Sequence, residues 1–342
     1  MRVKRLNPKD SAEIQRWEDF VLKNGYMWHS SRWIDIIKNS YGFEDIYLYV
    51  EDSGGNIVSV LPLFHVKAPF FKDELISLPH VEAAGIVNVD YFDRYEKFLI
   101  GNVKFKQLKI YQFNEKIKDY PYNNIHSVFI LDLPDSEKEL VSIFKKKEKA
   151  SFKKIFNGEL NIDTRCNENN IHRFLRLMKL KMKEFGTPWH RDVFFYNLFN
   201  VFKEGIKLAI CSYEGIDVGA GVVLVYGDVM YELYLTVPNK FRKTRAGSTL
   251  EYYFTKKAID LKLERYSFGR SPKGSGPYNH KKGFGAEEYP LNIYSFNFDE
   301  GKLKPRIKAF VGQKYGWASK IVKMVPVPVL NLFSGSVRKW VY

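Results

Sequence analysis

Two periodicities alternate along this chain. Leu140, Ile143 and Phe144 recur at helical spacing, with Phe152 and Ile155 continuing the apolar face among lysines. A long helix is expected over Ile171–Phe185, and another over Leu250–Ile259 that begins near Gly247 and Ser248. Apolar runs bounded by turn residues, "VMYELYLTV" and "RYSFG" among them, read as strands. The pattern then repeats. "GYMWHSSRWIDII" (Gly25–Ile37) and "GTPWHRDVFFYNL" (Gly186–Leu198) both open Gly-x-x-Trp-His and run on into an aromatic helix. At the same displacement "LYVEDSGGNIVSVLPL" (Leu48–Leu63) falls on "AICSYEGIDVGAGVVL" (Ala209–Leu224), each a strand, a turn holding Gly54 or Gly215, and a second strand. Two segments matching in register point to a duplicated α+β unit. The Pro-Asp-Ser turn at Pro134 puts the boundary near residue 135, so domains are expected over residues 1–135 and 136–300, with a tail over 301–342.

Composition narrows the classes. With 342 residues and 45% hydrophobic content the chain can bury a core in each half, which excludes a disordered protein. A net charge of +15 and a pI near 9.4 suit RNA, anionic lipid, phosphorylated donors or acidic glycans, and charge alone does not choose among them. Cys166 and Cys211 stand in unrelated contexts, so neither a disulfide framework nor a metal site is indicated, and a reducing, cytoplasmic setting is expected. The charged N-terminus lacks the apolar core of a signal peptide, and no run of about 18 apolar residues offers a membrane span.

Candidate chemistry concentrates in two places. "FGRSPKGSGPYNHKKGFG" (Phe268–Gly285) packs glycines and basic residues behind a strand, a composition that brings backbone N–H groups and positive charge to an anion or developing oxyanion; the alternative is a flexible surface loop. Arg242, Lys243 and Arg245 precede Ala246, Gly247 and Ser248 at a helix start, a natural seat for phosphate, against the alternative of an ordinary capped helix. Among the histidines, His29 and His190 occupy equivalent places in the repeat and read as packing partners of Trp28 and Trp189, with Trp28 and His190 kept as acceptor-pocket candidates beside His80. His65, His126 and His172 read as surface or partly buried. No motif supports a metal. From Lys302 to Tyr342 there are nine Lys or Arg and no acid, with Phe310, Trp317, Ile321, Met324, Leu330, Phe333 and Trp340 on segments broken by Pro326 and Pro328. Such a tail suits an anionic membrane surface, or packs its apolar residues on the second domain.

These motifs resemble a known family. Arg-x-x-Arg-Ala-Gly-Ser is similar to a degenerate pyrophosphate loop of the GNAT N-acyltransferases. The Phe-Gly-Arg-Ser…Gly-x-Tyr-x-x-Lys-x-Gly-Phe-Gly pattern resembles the signature of FemAB-like proteins, which are built from two GNAT-like domains in tandem. "LPLFHVKAPFFKDELISLPHVEAAG" and "EFGTPWHRDVFF" are similar to further family segments, and together the matches span about residues 24 to 295. The nearest subgroup in pattern is the FemAB-related proteins of exopolysaccharide and exosortase systems, also described as carrying a BioF2-like acetyltransferase domain. The resemblance implies an α+β fold of tandem duplicated GNAT-like (acyl-CoA N-acyltransferase) domains with a basic C-terminal helical tail. It implies catalytic roles for Lys281 and Tyr278 and, in place of the family's first-domain aspartate, Glu82; Arg242, Arg245, Gly247, Ser248 and Arg270 for donor phosphates; and His80, His280, Trp28 and His190 near the acceptor. His280 stands where the family has Phe, and Glu82 is longer than Asp.

The expected activity is transfer of an acyl or aminoacyl group from acyl-CoA or aminoacyl-tRNA to an amine of a cell-envelope or polysaccharide precursor, with no permanently bound cofactor. The long antiparallel helical arm of some tRNA-using relatives is missing, which tilts the donor towards acyl-CoA. Peripheral contact with an anionic membrane through residues 302–342 is the partner expected of the tail. The competing class is a non-catalytic basic module that binds RNA or an anionic membrane. An RNA binder should interleave exposed aromatics with base on strands, whereas the aromatics here fall mostly at apolar positions.

Overall fold

The computed structural model describes residues 1–68, 72–149, 157–306 and 316–340. The chain forms two compact units: Met1–Ser127 with the described part of Tyr289–Phe310, and Val128–Glu288 with the described part of Val311–Tyr342. The division falls a few residues before the expected turn, and the strand following Glu288 joins the first unit although the sequence assigned it to the second.

In the first unit the strands run in the order β1 (Arg2–Arg5), β2 (Glu44–Glu51), β3 (Ile57–Ala68), β4 (Lys72–Ser77), β5 (Gln107–Phe113) and β12 (Glu287–Asp299), with β13 (Lys302–Pro305) on β12. β2, β3 and β4 pair antiparallel and β4 pairs β5 in parallel, the helix Phe92–Asn102 making the crossover. The second unit repeats this plan. β7 (Leu160–Asp163), β8 (Ile206–Tyr213), β9 (Ile216–Tyr226) and β10 (Val229–Thr236) pair antiparallel in turn, and β10 pairs β11 (Arg265–Pro272) in parallel across the helix Ala246–Asp260. The strand beside β11 is β6 (Asn123–Asp132), whose residues from Val128 onwards open the second unit.

The duplication extends to irregularities. The β2–β3 ladder shifts register between Val50 and Glu51, and the β8–β9 ladder between Cys211 and Ser212, the equivalent place in the repeat. Helix caps follow the same logic. Asp10 accepts from Ala12 and Glu13 N–H to open Ser11–Asn24, and Asn167 accepts from Asn170 N–H to open Glu168–Phe185, which ends on Gly186 at φ 68°. Each unit has its own core: Leu48, Leu63, Phe92, Tyr95, Ile110 and Tyr294 in the first, Phe129, Cys211, Val223, Leu250, Phe254 and Tyr266 in the second.

The expected tail is not helical throughout: Lys302–Pro305 form β13, and the described part beyond it is two helices, Gly316–Met324 and Val327–Arg338, separated at Pro326. Trp189 N–H donates to Ser334 Oγ at 2.7 Å, and Leu330 and Ser334 are buried, so one side of the tail packs on the second unit. Phe152, Ile155, Phe310 and the side chain of Trp317 lie outside the described residues. No described helix is long and apolar enough to cross a membrane.

Candidate active site

A cavity of about 850 Å³ opens in the second unit, lined by β10 and the helix Glu168–Phe185 together with three further segments. The first is the start of helix Ala246–Asp260. Arg245 turns the chain at φ 67°, a left-handed conformation uncommon for a side chain with a Cβ, and Thr249 N–H then donates to Arg245 O at 3.1 Å as the first helical bond. The N–H groups of Gly247 and Ser248, one residue type small and the other short, belong to the first turn and have no helical carbonyl behind them. Gly221 on β9 lets this helix lie close to the sheet: a Cβ there would stand 2.4 Å from Phe254 Cε2.

The second segment is the glycine-rich stretch after β11, which is ordered by local bonds. Ser275 accepts from Tyr278 N–H at 3.3 Å and caps the short helix Gly276–Lys281. Lys281 folds back into the unit and donates from Nζ to Gly269 O at 3.1 Å and Arg270 O at 3.2 Å. Gly269 has φ 72°, so a residue without a Cβ makes that carbonyl position accessible at no steric cost. The third segment is the helical turn 146–149, held by Lys145 N–H donating to Gly283 O at 2.9 Å; it carries Glu148.

Ionisable groups meet at the inner end of the cavity. His280 Nε2 lies 2.6 Å from Glu251 Oε2 and Nδ1 lies 3.8 Å from Glu148 Oε1, while Ser248 Oγ donates to Glu148 Oε2 at 2.5 Å. Burial by itself would lower the His280 pKa, but Glu251 and Glu148 outweigh it and hold the imidazolium up to about 10. Burial works against the Glu148 carboxylate too, and the bonds from His280 and Ser248 nevertheless bring its pKa below the usual value. Glu232, on β10 where the ladder to β9 shifts register between Glu232 and Tyr234, accepts from Tyr266 OH at 3.2 Å. Its burial and the neighbouring Glu251 charge push its pKa up to about 8, against the opposing pull of Lys281. At the solvent side Lys145, Lys147, Arg242 and Arg245 are exposed cations. The cavity therefore joins a cationic mouth, suited to phosphates, to a buried carboxyl able to exchange a proton near neutral pH.

Of the residues singled out in the sequence, Arg242, Arg245, Gly247, Ser248, Arg270, His280 and Lys281 all line this cavity. Tyr278 does not: its hydroxyl donates to Glu288 at 2.7 Å and its ring packs edge-on against Phe129. His190 is buried with its ring stacked 4.4 Å from Phe194. Glu82, His80 and Trp28 belong to the first unit. There Trp28 stacks on Trp33 at 5.5 Å, and His80, at φ 70°, lies 4.6 Å from the Tyr41 ring. His29 accepts from Tyr26 N–H and donates to Gly85 O, and burial depresses its pKa to about 4, as a neutral packing histidine requires.

Glu148, Glu232 and Glu251 escaped the sequence reading. The signal for Glu232 was present, a lone carboxylate within the apolar strand "VMYELYLTV". Glu251 follows Ser248 by three residues on one helical face, and Glu148 sits in a lysine-rich run where nothing marks it as buried.

Residues 145–282 match the Acetyltransferase (GNAT) domain family. No curated protein matches the chain in sequence. Among solved structures, FemX aligns over 87% of this chain and 98% of its own, with a TM-score of 0.67 and 14% identity. The C-terminal domain (DUF2156) of a putative lysylphosphatidylglycerol synthetase from Agrobacterium fabrum aligns over 85% and 93%, with a TM-score of 0.52 and 12% identity. A tandem GNAT protein from the clavulanic acid biosynthesis pathway, solved without AcCoA, aligns over 86% and 98%, with a TM-score of 0.51 and 11% identity. At these identities the likeness is one of fold.

Proposed function

We propose that the chain, whose residues 145–282 match the Acetyltransferase (GNAT) domain family and whose fold is shared with FemX, is a FemAB-like acyltransferase that transfers an acyl group from acyl-CoA to an amine of a cell-envelope or polysaccharide precursor, with the second unit holding the reacting groups. The observation that carries this reading is the single cavity in which exposed cations and a small-residue helix start meet buried Glu232 and Lys281. Arg242, Arg245 and the first-turn N–H groups at Gly247 and Ser248 receive the donor's phosphates, with Arg270 nearby. Glu232 takes the proton from the acceptor amine, directly or through water, as the new C–N bond forms. Lys281 offers positive charge to the oxyanion before the C–S bond breaks, and the departing thiolate takes up the proton that Glu232 received from the amine. The Glu251–His280–Glu148 chain holds the loop bearing Lys281 against helix Ala246–Asp260.

Aminoacyl-tRNA is the second donor reading. It is favoured by the exposed cations at the cavity mouth and by the fold shared with FemX and with the domain of a putative lysylphosphatidylglycerol synthetase. Calorimetric titration of the whole chain with coenzyme A, acetyl-CoA and a charged tRNA pool separates the two. Saturable coenzyme A binding is expected; binding to charged tRNA alone moves the donor to the aminoacyl branch, and binding to neither removes the transfer reading in favour of a non-catalytic basic module.

A further inference from the structure

The two tail helices are apolar on the side that does not pack. Along Val327–Arg338, Leu330 and Ser334 are buried, whereas Val329, Leu332, Phe333 and Val337 recur at helical spacing and are all exposed, Leu332 at 83%. In Gly316–Met324, Val322 is buried and Ile321 and Met324 are exposed, Met324 at 82%. The exposed Lys320 and Lys323 share the first helix with them, Arg338 and Lys339 follow the second, and no acidic residue occurs between Lys302 and Tyr342. Trp340 follows the second helix, with Lys339 Nζ 4.9 Å from its ring centre.

Exposed aliphatic side chains are left in water at a cost, and a contiguous row of them marks a contact surface. We infer that this surface docks the protein on an anionic lipid bilayer, with the Ile321, Met324, Leu332 and Phe333 side chains entering the acyl boundary and the lysines meeting headgroup phosphates. The row is mainly aliphatic, which suits acyl chains and gives bases little to stack on. The charged residues of the tail itself are all cationic, so its complement is negative. A Trp beside basic residues is a side chain suited to the membrane interface. The helices are held by Ser334 and Leu330 on the second unit, so they present the row without having to fold on contact. This inference is independent of which donor the cavity takes.

The test is co-sedimentation of the full chain with vesicles of phosphatidylcholine alone and of an equal mixture of phosphatidylcholine and phosphatidylglycerol. Binding to the mixed vesicles is expected to be at least about tenfold tighter, and added salt should weaken it. The triple variant Met324→Gln/Leu332→Gln/Phe333→Ser should lose the binding at an unchanged melting temperature, because all three side chains are exposed. Lys320→Gln/Lys323→Gln should reduce the preference for the anionic mixture. Failure to sediment with either vesicle overturns the proposal, and so does triple-variant binding equal to that of the parent chain. A concentration-dependent dimer in light scattering that the triple variant dissolves also overturns it, since a second copy would then be the occupant.

Discussion

The same crossover helix begins in opposite ways in the two halves of the chain. Between β4 and β5 the helix starts on Phe92, whose ring stacks 5.7 Å from Phe296 and meets Tyr120 edge-on at 5.6 Å. Between β10 and β11 it starts on Ala246, Gly247 and Ser248, with ionisable groups and a cavity beside it. Hairpins, register shifts and the parallel strand pair are shared. The difference shows that the repeat is a scaffold whose helix entry can be filled with aromatic rings for stability or left open and charged for chemistry. In the second half, burying Glu232 and Glu251 costs stability that a packed entry would retain.

The comparison breaks most sharply at Glu232. Glu232→Gln preserves the shape and removes the proton acceptor, so the transfer rate should fall by about 10²–10⁴-fold with donor binding retained; a rate near the parent value would put the base elsewhere. Phe92→Ala tests the other half. It should lower the unfolding free energy by about 3–5 kcal/mol in a urea titration while leaving coenzyme A affinity alone, and a lost affinity would refute the assignment of that entry to packing. Arg245→Gly keeps the positive φ and deletes one cation at the mouth. A charged hydrogen bond contributes about 1.5–3 kcal/mol, so calorimetry should find coenzyme A binding weaker by roughly 10- to 100-fold.

The smallest effect is a drift of stability with pH. An acid whose folded pKa is raised holds its proton after the unfolded chain has released it, so Glu232 contributes less stability as pH rises from its ordinary 4.5 towards about 8. His280 acts in the same direction higher up: its contribution is complete below its ordinary 6.5 and is lost as pH rises through about 10. These two groups should therefore make the melting temperature drift down as pH rises from about 4.5 to about 10, and Glu232→Gln should flatten the lower part of the decline while His280→Gln flattens the upper part. Parallel curves for parent and variants would show that neither group titrates as the burial and contacts imply.

Much of the cavity's wall was legible in the sequence because local rules write it. Small residues after arginines at a helix start, and glycines and lysines after a strand, are contiguous stretches, and Arg242, Arg245, Gly247, Ser248, Arg270, His280 and Lys281 were found that way. What the stretch does not show is that Lys281 is buried and bonded to two carbonyls. Tyr278 has the signature's spacing, but Glu288 ten residues on captures its hydroxyl.

The sequence by itself determined the duplication, the hairpins, the capped helices and the basic stretches, since each depends on neighbours within a few residues or on a pattern repeated along the chain. Tertiary structure alone decided which carboxylates are buried together. Glu148, Glu232 and Glu251 come from three separate segments, and a glutamate's pKa and role depend on desolvation and on charges that only the packed sheet and helices bring within a few ångströms. It likewise decided that β12 leaves the second half to pair with β5, because strand partners are chosen by hydrogen bonding between distant segments and not by order along the chain.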